Sequence, residues 1–110
     1  MIEITIDKSN DGLIHAFTIS GHALFANSGN DIVCAGVSAV SFGSINAVIS
    51  LTGITPIIKQ GKDGGFISCT IPENIPEETR AKIQLLLEGM IVSLETIERD
   101  YGKYVTITYN

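Results

Sequence analysis

Ile83, Leu86, Leu87, Met90, Ile91, Leu94 and Ile97 recur at steps of three and four residues, so the segment opened by Glu77 and Glu78 can bury its apolar stripe only as a helix on a matching surface. The chain supplies that surface by alternation. Ile2, Ile4 and Ile6 alternate with Glu3, Thr5 and Asp7; Ser9-Asn10-Asp11-Gly12 then carries turn chemistry, and Leu13 to Ser20 resumes as a second extended run. This predicts a β-hairpin. A second hairpin is expected from Ile54 to Lys59 and Phe66 to Ile71, joined by a turn containing Lys62-Asp63-Gly64-Gly65. Between the hairpins, Asp31 is a good N-cap for a helix reaching about Thr52-Gly53. Acidic Glu77 and Glu78 suit the dipole where the second helix opens, Gly102 ends it, and Tyr104 to Tyr109 alternate as a last strand. The order ββαββαβ predicts an α+β two-layer sandwich, a five-stranded sheet with two helices, in one domain spanning residues 1–110.

The second helix is more apolar than one sheet face requires. Leu85 and Val92, with Gly89 between them and Thr96 beyond, form a strip beside the first. It is either a broad core face or the seam of a homodimer, since contiguous exposed apolar surface marks contacts.

Charge narrows the partners. Lys+Arg number 7 against Asp+Glu 12, a formal net charge of -5, and no basic aromatic-rich run occurs, so direct nucleic-acid binding is not expected. A partner carrying positive charge suits this surface better. Residues 1–7 lack the basic flank and continuous apolar stretch of a signal peptide or anchor. The greasiest region, Ile32 to Leu51, is broken by Gly36, Ser38, Ser41, Gly43, Ser44, Asn46 and Ser50 and reads as a poor membrane span. The expected compartment is the cytoplasm. There, Cys34 and Cys69 are not expected to pair as a structural disulfide, and with His15 and His22 they lack the spacing of a zinc site, so neither metal nor cofactor is expected.

Cys34 would be the third residue of the helix capped by Asp31, close to unpaired N–H groups and the positive end of the dipole. That setting favours a thiolate, although a lone helical cysteine is often only a small core residue. His22 follows Gly21 where the second strand leaves the sheet, and a twelve-residue separation lets the intervening loop bring imidazole and sulfur together. Such a pair can attack a carbonyl and protonate a leaving amine. Asp31 has two roles open to it, capping the helix or orienting His22. Ser38, one turn beyond Cys34, either bonds into the site or is small for packing. The stretch 23–30 carries Leu24 and Phe25, either a lid that meets an apolar substrate or a staple under the sheet edge. Cys69 falls with Ile67 and Ile71 and reads as core, and His15 as solvated.

The string GHALFANSGNDIVCAGVSAV, that is Gly-His-Ala, a short loop, then Gly-x-Asp-Ile-Val-Cys-Ala-x-Val-Ser, resembles the ribosomal-processing cysteine proteases, the Prp family. The likeness extends through MIVSLETIERDY and the closing strand. It implies an endopeptidase that removes a short hydrophobic N-terminal extension from a protein of the large ribosomal subunit. By that resemblance Cys34 is the nucleophile and His22 its base, with Gly21, Asp31 and Ser38 as motif neighbours, and the enzyme is dimeric with a mobile loop over the site. The Cys34 N–H, facing the helix opening, is the expected oxyanion donor. The rival readings are a non-catalytic module that binds a ribosomal protein, its His-Cys pair a relic or thiol redox sensor, and a thiol-based redox enzyme, which lacks a resolving cysteine near Cys34.

Overall fold

The computed structural model describes every residue except Ser28 and Asp63. Five strands and two helices follow in the order β1 (Ile2–Lys8), β2 (Ile14–Ser20), α1 (Ile32–Thr52), β3 (Ile57–Gln60), β4 (Phe66–Thr70), α2 (Glu77–Asp100) and β5 (Val105–Tyr109). The strands form one mixed sheet in the order β3-β4-β2-β1-β5, antiparallel except for the β1–β5 pair. The predicted α+β sandwich is therefore the observed architecture.

Alternation decides the layers. Ile2, Ile4 and Ile6 of β1, Phe17 and Ile19 of β2, Ile67 and Cys69 of β4 and Val105 of β5 are buried in one core with residues of both helices. The opposite face is polar, with Thr108, Thr5, Thr18 and Ser68 aligned across four strands. Shifting one strand by a residue would turn isoleucines to water, so burial fixes the register.

The helices bury themselves differently. Along α2, Ile83, Leu87, Met90, Ile91 and Leu94 are buried, as the stripe requires, each worth roughly 1.5–3 kcal/mol in removed apolar surface. Gln84 is buried among them, which the stripe did not foretell. Its amide accepts from the Ile14 N–H and donates to the Ile14 carbonyl, both at 2.8 Å, clamping α2 to the first residue of β2. Residues 32–52, by contrast, carry no charge at all. Val33, Val37, Ser41, Ile45 and Val48 of α1 are buried, while Ile32, Phe42 and Leu51 stand exposed. Its hydroxyls are absorbed locally: Ser41, Ser44 and Thr52 donate to the carbonyls of Val37, Val40 and Val48. By length and composition α1 could cross a membrane, contrary to the sequence reading, but such a helix is weak evidence because core helices of soluble proteins pass the same test. Exposed apolar side chains thus occur on both helices, with Leu85 and Val92 of α2 exposed at 71% and 62%.

β3 is shorter than expected. Pro56 has no N–H to give a ladder and biases the residue before it, so Ile54 and Thr55 stay outside the sheet. Of the Gly-rich turn that follows, Asp63 lies outside the described residues.

Candidate active site

Gly21 begins the departure from β2. Its φ of +88° is open to glycine at little strain, and a methyl group there would run into the Met1 carbonyl oxygen. Its N–H donates to Gly65 O at 2.9 Å, so the turn is held against the second hairpin. His22 comes next, exposed, and Ala23 is buried with its N–H donating to Cys34 Sγ at 3.4 Å. Leu24 then adopts a left-handed φ of +58°, a costly conformation for a bulky side chain, and projects into solvent at 78% exposure.

Asp31 compensates for that strained path. One carboxylate oxygen, Oδ1, accepts from the N–H groups of Val33 and Cys34, each at 3.0 Å, and caps α1. The other, Oδ2, accepts from Phe25 and Ala26 at 3.0 and 3.4 Å. The Cys34 N–H, followed by those of Phe25 and Ala26, holds the Asp31 carboxyl below the usual carboxylate range. One expectation is corrected, and one of the two roles left open for Asp31 is the one observed. The Cys34 N–H is already engaged by the cap and is not a free oxyanion donor. Asp31 makes no hydrogen bond to His22 among the described residues; both its oxygens serve backbone, because a helix opening and a tight loop each needed acceptors.

Cys34 is the third residue of α1 and half-buried. It shares two cavities with His22 and Ser38. One, of about 520 Å³, is lined also by Leu24, Ala26, Gly29, Asp31 and Ala35. The other, of about 200 Å³, runs under the sheet edge and is lined further by Phe42, Gln60, Gly61 and Phe66. Leu24 and Phe25, paired in the sequence reading, separate. Leu24 faces the first cavity, whereas Phe25 packs edge-on against Tyr101 and Tyr104 at 5.8 and 5.1 Å between ring centroids. The loop is thereby anchored to the end of α2 by an aromatic contact. The second-hairpin wall of the smaller cavity was missed from sequence; its only signal was the glycine-rich turn followed by an aromatic residue.

Cys69 offers the contrast. It is 0% exposed, and burial pushes its thiol up to about 11. No group of histidine, cysteine and acidic side chains able to hold a metal occurs among the described residues.

A protein-family match decides the class: the pattern of the cysteine protease Prp family covers residues 1–106. The chain belongs to the Prp family. It is 54% identical to the ribosomal processing cysteine protease Prp of Bacillus subtilis over 110 residues, covering 100% of this chain and 98% of that protein. Among solved structures, the essential ribosomal processing protease Prp from S. aureus with a covalently linked product peptide superposes with a TM-score of 0.90 at 38% identity, covering all of both chains. The same S. aureus protease with a substrate peptide gives 0.84 at 36% identity, again over all of both chains. As a Prp family member the chain is a cysteine protease of the ribosomal-processing type, so the non-catalytic and redox readings are set aside.

Proposed function

We propose that the chain, acting as a single protease domain, removes a short hydrophobic N-terminal extension from a large-subunit ribosomal protein by means of a Cys34 thiolate and His22. The observation that carries this is the shared cavity: the sulfur at the third position of α1 and the imidazole beyond Gly21 line the same two hollows. The sulfur sits at the opening of α1, where the Ala23 N–H donates to it at 3.4 Å.

Attack of the Cys34 thiolate on the scissile carbonyl forms a C–S bond and a tetrahedral oxyanion. Collapse breaks the C–N bond, and imidazolium His22 gives its proton to the departing amine. The thioester then yields to water, whose proton His22 accepts, and the acid product leaves as the thiolate is restored. With the Cys34 N–H committed to Asp31, we take the Ala23 N–H, 3.4 Å from Sγ, as the backbone donor for the developing oxyanion. Leu24 meets the substrate from the exposed loop, Phe25 anchors that loop, and Ser38 lines the cavity floor. Gly21 is the point about which the loop turns, and Asp31 is a positioning residue for both loop and helix.

The hydrophobic extension fits walls that include Phe42, Phe66 and Leu24. Basic segments of a ribosomal protein fit a net charge of -5, with an attraction that weakens as salt rises. The charge balance also argues against direct nucleic-acid binding. We assign the enzyme to the cytoplasm and to a homodimer, for which the exposed Leu85–Gly89–Val92–Thr96 strip is available. Incubation of wild type and Cys34→Ala with a peptide spanning the extension tests the reading: wild type should cut once and the variant should not, while retaining the fold. Equal cutting by both would remove Cys34 from the mechanism.

A further inference from the structure

The two edges of the sheet are finished differently. At β5, N–H groups turned away from β1 find partners at the end of α2: Ile107 donates to Glu98 at 2.7 Å and Val105 to the Tyr101 carbonyl at 3.2 Å. At β3 no such cover exists among the described residues. The bond from Gly61 N–H to Phe66 O, 3.0 Å, sets the phase of the β3–β4 ladder. With Lys59 opposite Ser68 and Ile57 opposite Thr70, those pairs exchange hydrogen bonds, and the N–H and C=O groups of Ile58 and Gln60 point outward. All of Ile57–Gln60 is exposed, Ile57 at 54% and Ile58 at 37%. An edge left open in this way, with Ile57 and Ile58 beside Lys59 and Gln60, is a template for another strand.

The edge also leads somewhere. Gln60 and the adjoining Gly61 line the smaller cavity together with Cys34, Phe42 and Phe66. From Cys34 to Phe42 is eight residues of helix, about 12 Å, the span of three or four residues of extended chain. We propose that the substrate segment docks as a sixth strand on the free edge of β3, bonding the outward groups of Ile58 and Gln60 before it passes over the cavity to Cys34. This rests on the protease reading above. The occupant is an extended apolar peptide. Four residues of edge bury far too little to hold two copies together by themselves, against the roughly 1,200 Å² of a stable interface.

Binding to the Cys34→Ala variant reads docking without cleavage. Peptides spanning the extension, each with one backbone N-methyl group, should bind about tenfold more weakly when the methyl falls on alternate residues of one stretch, and within about twofold elsewhere. Ile58→Pro, which deletes an outward donor and no β4 bond, should weaken the unmodified peptide by a similar factor, with its melting temperature reporting the fold. N-methylation tolerated everywhere, or without a two-residue period, would overturn the proposal. So would an Ile58→Pro change that alters sedimentation of the free protein and leaves peptide affinity untouched, since the edge would then join copies of the chain. An alternating pattern of binding with no cutting by wild type would instead sink the protease reading and leave the docking edge standing.

Discussion

Cys34 and Cys69 are the same residue in opposite surroundings. Cys34 is held by hydrogen bonds at a helix opening beside two cavities, whereas Cys69 sits in β4 with no exposure and a thiol pushed up to about 11. The difference teaches that reactivity here belongs to the place in the fold. A helix opening, a nearby N–H and two adjoining cavities surround one sulfur, and desolvation makes the other a piece of core.

The largest test of that contrast is substitution. Cys34→Ala should lower peptide cleavage by on the order of 10⁴-fold or more with little change in melting temperature, whereas Cys69→Ala should keep activity per folded molecule and cost about 1–2 kcal/mol in denaturant titrations. Reversal of either pair would break the comparison. His22→Ala comes next, with an expected loss in kcat of about 10²–10⁴-fold, measured in single-turnover cleavage. Unchanged turnover would show that the imidazole is only a neighbour.

Acid and alkali should loosen different regions. The folded Cys69 pKa of about 11 lies above its ordinary 9.0, so its contribution to stability is complete below pH 9 and lost as pH climbs toward 11. Two units correspond to about 2–3 kcal/mol, which Cys69→Ala should abolish in urea titrations across that window. Asp31 runs the other way. Its folded pKa lies below 3.8, so its support is complete above that value and lost as pH falls further. The smallest expected effect is Asp31→Ala at neutral pH, with amide exchange at Phe25 and Ala26 about tenfold faster and exchange around Cys69 unchanged. Equal acceleration at both places would mean that the two environments are not independent.

Element order and the placement of both cysteines, Cys34 in the first turn of α1 and Cys69 in the core, were legible because periodicity and capping are local signals. Ile2, Ile4 and Ile6 needed one buried face, the α2 stripe needed the same face, and Asp31 announced the start of α1. What escaped depended on contacts distant in sequence. Gln84 reads as an ordinary polar residue until Ile14, seventy positions away, offers it both backbone groups. Phe25 could be paired with Leu24 only while the rings of Tyr101 and Tyr104 were out of view. The Cys34 N–H seemed available because nothing in the sequence says that one Asp31 oxygen would cap the helix and the other would gather the loop. The cavity wall from the second hairpin required the pairing of β4 with β2, which no short motif encodes.

The bidentate grip of Gln84 on Ile14 has a mechanical outcome. It rivets the end of the sandwich remote from Cys34, tying α2 to the strand that leads to Gly21 and His22. Severing the rivet would strand two buried backbone groups of Ile14, a cost borne at the far end of the sandwich from the sulfur.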